Sequence, residues 1–109
     1  MRLVAPTKIL MADRQGDYSY LLAFATLDAS YEVYLPGAGW AGEFAGFMTP
    51  SIRNQATGEG SELSCSEAEE LAAKLATCLS VGNIAKGVEV SASECLDALS
   101  QGKRYGCEA

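Results

Sequence analysis

The stretch Leu63-Ser-Cys-Ser-Glu-Ala-Glu-Glu-Leu-Ala-Ala-Lys-Leu-Ala-Thr-Cys-Leu79 constrains the fold more than any other part of the chain. Ser64 and Glu67 have the spacing of a capping box. In it the serine hydroxyl accepts from a backbone N–H of the first turn, and the glutamate accepts from the N–H of the cap. Glu67, Glu69 and Glu70 then fall in the first turns, where the helix dipole favours negative charge. Ala68, Leu71, Ala72, Leu75, Cys78 and Leu79 recur at the i, i+3, i+4, i+7 spacing of one buried stripe. Glu70 and Lys74 make an i, i+4 pair on the exposed side, and Gly82 with Asn83 supplies the stop. A helix with one apolar stripe has to bury it, so the rest of the chain must provide a second layer.

Part of that layer is a shorter echo of the same helix. Ser91-Ala-Ser-Glu94 repeats the capping-box spacing, Cys95, Leu96 and Leu99 supply an apolar face, and Gly102 ends it. Between the two, Val88-Glu-Val90 reads as a short extended segment after Gly87. The first half is less periodic. Asp17 to Ala29 is apolar on every side, so periodicity does not choose between a buried helix and a central strand. Asp17 as an N-cap, with leucine and alanine following, points to a helix. Tyr18, Tyr20, Phe24 and Thr26 on one alternating face point to a strand. The reading leans to helix. Tyr31 to Leu35 alternates and is rich in β-formers, so it is expected to be a strand, with Thr7 to Met11 as its partner. From Pro36 to Gly60, glycines, two prolines and Asn54 mark a long irregular surface stretch. A chain of 109 residues has room for one core. The expected architecture is therefore a single α+β domain over residues 1–109, a short antiparallel sheet with a C-terminal helix pair.

Composition narrows the function classes. A hydrophobic fraction of 49% with 20% charged residues is ordinary for a globular protein and excludes wholesale disorder. Eight basic against fourteen acidic residues give a net charge of −6, the wrong sign for direct binding to nucleic acid. Histidine is absent, which removes the commonest general base and metal ligand together. Pro6 and Lys8 interrupt the N-terminal apolar run, and the longest such run, Tyr20 to Leu27, is far short of the roughly 18 residues that span a bilayer. A cytoplasmic protein that does not engage a membrane is expected. Cys65, Cys78, Cys95 and Cys107 form no C-x-x-C pair, so neither a metal nor a cofactor is expected from them. They read as small buried hydrophobes, with nested disulfides Cys78–Cys95 and Cys65–Cys107 as the alternative.

Few motifs carry chemistry. Gly37-Ala-Gly39-Trp-Ala-Gly42 matches G-x-G-x-x-G after a strand, the pattern of a turn that places backbone N–H groups on a pyrophosphate. The segment behind it is a poor helix, broken by Gly46 and Pro50, and Glu43 would face the phosphate, so no dinucleotide site is expected. Trp40 and Phe44 in that loop are candidate anchors for a partner, since aromatics bring contact area at little entropic cost. Glu59, Glu62, Glu67 and Glu70 belong to the densest acidic stretch. Residues 59–109 carry nine acidic and four basic groups, against five and four in residues 1–58. That stretch suits a basic protein partner, although the helix N-terminus accounts for part of it. No catalytic residue is identified: a cysteine nucleophile lacks its usual base, and no carboxylate pair stands on opposing elements.

Arg53 to Ala72 resembles a pattern in short bacterial and phage proteins of no assigned activity. In these, an Asn/Gly-rich turn, a Val or Leu and a Ser-x-x-Glu/Asp-Ala cap lead into a Leu-Ala helix. The resemblance implies a prokaryotic or mobile-element origin and transfers no site residue. The expected function is that of a small acidic, non-catalytic protein that binds another macromolecule, such as a phage or mobile-element accessory or inhibitor protein. The alternative is a small-molecule-binding domain or minor enzyme, with a pocket between the glycine-rich loop and Tyr18, Tyr20, Tyr31 or Tyr34. A homodimer built on the alanine-rich helix face is a further possibility.

Overall fold

A computed structural model describes residues 5–15, 19–35 and 50–100. Strands β1 (Lys8–Gln15), β2 (Ser19–Ala25), β3 (Ser30–Leu35), β4 (Ser51–Asn54) and β5 (Gly60–Glu62) form one sheet, each antiparallel to the next and in chain order. Helices α1 (Cys65–Ser80) and α2 (Glu89–Ser100) follow. The α+β architecture expected from the sequence is the one observed.

Residues 19–25 are a strand, which corrects the helix reading of Asp17 to Ala29. β2 is flanked by β1 and β3, with Leu22 between Ala12 and Val33, and Phe24 between Ile9 and Tyr31. All of these but the half-buried Tyr31 are buried on the helix side, while Ala23, on the opposite face, is only 4% exposed. A strand screened on both faces carries no polar alternation, so its sequence resembles a buried helix. The same correction moves β1. It pairs with β2 rather than with Tyr31 to Leu35 and runs on to Gln15, because consecutive strands usually pair with each other. A register shift between Ile9 and Met11 leaves Leu10 as the extra residue.

The stretch expected to be irregular up to Gly60 contains β4 and the turn into β5. Asn54 makes that turn: its side-chain oxygen accepts from the N–H groups of Ala56 (2.8 Å) and Thr57 (3.2 Å). Gly58 then takes a φ of +78° that a side chain would strain. β4 and β5 are short, and Ile52 is the buried apolar residue of the pair, so there was little alternation to read.

α1 follows the sequence closely. Ser64 Oγ accepts from the Glu67 N–H at 3.2 Å, and Glu67 Oε1 accepts from the Ser64 N–H at 2.9 Å. At the other end Asn83 N–H reaches Cys78 O (2.9 Å) and Gly82 N–H reaches Leu79 O (3.3 Å), with Gly82 at φ +82°. This pair of bonds is a Schellman stop. Ala68, Leu71, Ala72, Leu75 and Cys78 are buried, and Leu79 packs against them. α2 begins at Glu89, so Glu89 and Val90 belong to the helix rather than to an extended segment. Gly87, at φ +89°, breaks the chain just before it, and Ala92 N–H bonds back to Val88 O at 2.8 Å. Val90 is 74% exposed, so its alternation with Val88 reflected no shared buried face. Ala92, Cys95, Leu96 and Leu99 turn inward as helix spacing requires.

Both helices lie against one side of the sheet, where Ile9, Leu22, Phe24, Val33, Leu35 and Ile52 meet them in a continuous cluster. Phe24 stacks on Tyr31 with ring centroids 5.6 Å apart. Cys78 and Cys95 are buried free thiols within that cluster, so they act as the small hydrophobes expected and are not bonded to each other.

Candidate functional site

The acidic stretch runs from the β4–β5 turn along β5 to the corner where α1 begins. Glu59 ends the turn from β4, and its carbonyl accepts from Asn54 N–H at 2.8 Å. Glu62 is the last residue of β5, opposite Ser51. Both glutamates are exposed. The helical members are more committed to the fold. Glu67 is the reciprocal half of the capping box, and its carboxyl is held below the usual value chiefly by the Ser64 backbone N–H, with the Ser64 hydroxyl assisting. Glu70 lies 3.3 Å from Lys74, the ion pair expected from their spacing. Of the four expected contact glutamates, Glu67 and Glu70 thus serve the helix itself, whereas Glu59 and Glu62 stand exposed on the turn and the edge strand. Trp40 and Phe44 lie outside the described residues, as do Gly37 to Gly42, Tyr18 and Cys107.

The tyrosines named for a pocket do not share one wall. Tyr20 and Tyr31 pack against the core beneath the helices, and Tyr34, 43% exposed, alternates to the opposite sheet face. That outer face also carries an ion pair that sequence reasoning missed, Arg53 with Glu32 on neighbouring strands. Their separation in sequence hides the pairing, and only the β3–β4 register brings them together. Among the described residues, no group of three or more Cys, Asp or Glu is placed to hold a metal ion. No helix there is long and apolar enough to cross a membrane.

Neither of the free thiols among the described residues is poised for chemistry. Burial pushes the Cys78 thiol up, and its Sγ lies 3.6 Å from Pro6 O. Burial, then the charge of Glu94, pushes Cys95 up to about 12. A thiol held protonated this way is a weak nucleophile.

The two edges of the sheet are built differently. On β1, Ile9 N–H donates to Asn83 O at 3.0 Å and Ile9 O accepts from Ala85 N–H at 2.8 Å, so the α1–α2 connection caps that edge at Ile9. α2 packs further along the same strand. β5 is the other edge, and all three of its residues are exposed. No protein-family model matches the sequence, and comparison with curated proteins and with solved structures gives no match.

Proposed function

We propose that this small acidic protein works by binding another macromolecule, a protein with a basic surface, and that the β5–α1 corner makes the contact. The observation that carries the reading is the exposure of Glu59 and Glu62 along the edge strand, followed in the chain by the exposed Glu69 and Glu70 in the first turns of α1. Clustered like charge attracts and orients a partner of opposite sign, mainly by speeding encounter. Size and net charge suit an accessory or inhibitor protein of a phage or mobile element, acting by occupation of a host protein's basic surface.

The test is capture of partners on immobilised protein, with a Glu59→Gln, Glu62→Gln, Glu70→Gln variant in parallel. A partner retained by the wild type, lost from the variant and eluted by about 0.5 M salt is the expected result, since exposed charge pairs are screened at that ionic strength. Equal retention by both proteins would refute the corner as the contact. A small molecule retained in the native mass spectrum would move the reading to a ligand-binding domain.

A further inference from the structure

The open edge carries a more specific reading, which rests on the proposed function and names how the partner binds. In the β4–β5 ladder, Asn54 N–H bonds to Glu59 O and Leu63 N–H bonds to Pro50 O. Antiparallel strands alternate, so residues 59, 61 and 63 turn their backbone groups toward β4. Gly60 and Glu62 therefore turn theirs outward, two N–H groups and two carbonyls along the rim of the sheet. Among the described residues no strand pairs with that rim. The opposite edge has Asn83 to Ala85 laid along it.

We propose that β5 accepts an extended basic peptide segment as a sixth strand. Backbone hydrogen bonds to Gly60 and Glu62 would supply the docking, as in other cases of strand addition to an exposed edge. The charge selects the occupant. Glu62 projects to the outer sheet face, in phase with Arg53 and Glu32, because strand positions alternate. Glu59 stands exposed just before β5. An added strand therefore meets a carboxylate at Glu62 and a second at the turn end of β5, and cross-strand pairs of opposite charge are favourable. Arg53, diagonal to Glu62, is taken up by Glu32. A second copy of the chain would bring the same acidic strand against itself, so like charge disfavours that occupant. Gly60 keeps the edge regular. A Cβ there would come within 2.9 Å of Ile52 O, so the residue allows the close approach of β5 to β4.

The experiment is a titration of the ¹⁵N-labelled full chain with a hexapeptide alternating Lys and Thr, followed by amide shifts and amide exchange. A Glu/Thr hexapeptide serves as control. Shifts centred on Gly60 and Glu62, with slowed exchange of those two amides, are expected for the basic peptide alone. Glu62→Lys should weaken binding at least tenfold. Glu62→Pro removes the outward N–H and should weaken it well beyond Glu62→Gln, which removes only the charge.

Strand addition is overturned by any of three results: no saturable shift, shifts confined to the amides of residues 67–70, or equal binding by the Pro and Gln variants. Concentration-dependent shifts of Gly60 and Glu62 without peptide would identify a second copy as the occupant and overturn the basic partner. A captured partner that needs the glutamates yet ignores Glu62→Pro would leave the proposed function standing and remove strand addition alone.

Discussion

Cys95 offers a quantitative probe of this core. Its side chain is fully buried, and its thiol is raised from 9.0 to about 12. At pH 8 that rise alone reduces the thiolate, the reactive form, about a thousandfold. With no access to solvent in the native state, alkylation should proceed only through opening. If opening is global and the domain is stable by about 5 kcal/mol, the unfolded fraction is on the order of 10⁻⁴. Iodoacetamide at pH 8 should then label Cys95 at about that fraction of the rate seen in denaturant, read from the peptide by mass spectrometry. The perturbation is Leu75→Ala. Leu75 is fully buried in the same cluster, and truncating such a leucine costs roughly 3 kcal/mol, so labelling of Cys95 should accelerate about a hundredfold. Labelling of the wild type within tenfold of the denatured rate, or a rate that ignores Leu75→Ala, would show that Cys95 is not sealed beneath α2.

Other outcomes follow from the caps and turns. Ser64→Ala removes the hydroxyl acceptor of the α1 cap and should lower stability by about 1 kcal/mol, a fall in Tm of a few degrees by calorimetry. Because the Glu67 carboxyl titrates lower in the folded state than in the unfolded, its contribution is present above the ordinary value of 4.5. It is lost as the pH falls through the depressed value. Urea midpoints between pH 6 and pH 2 should show that loss in the wild type, and Glu67→Gln should reduce it. Gly82→Ala meets no atom within 4 Å but must hold φ +82°, so it should cost about 1 kcal/mol by denaturant titration. Val90→Ala, at an exposed helix position, should change stability by less than about 0.5 kcal/mol in the same assay.

What the sequence determined by itself was α1, whose signals lie within a few residues of one another; the cap expected at Ser91 did not hold, since α2 begins at Glu89. The cap at Ser64, the stripe from Ala68 to Leu79, the Glu70–Lys74 pair and the stop at Gly82 all depend on neighbours one or two turns away, and each stands as expected. The tertiary structure decided what depends on distant partners. Residues 19–25 are a strand because β1 and β3 flank them, and apolar residues on both faces, none of them exposed, leave no local period to read. Ser51 to Asn54 is a strand because β3 lies beside it, and Glu89 begins a helix because Ala92, Cys95, Leu96 and Leu99 bury together. The candidate corner divides the same way. Its charges were visible in the sequence, but that Glu62 lies in the edge strand of the described sheet, with Glu59 at the turn before it, follows from the β4–β5 ladder. Sheet register is a relation between segments, and no single segment contains it.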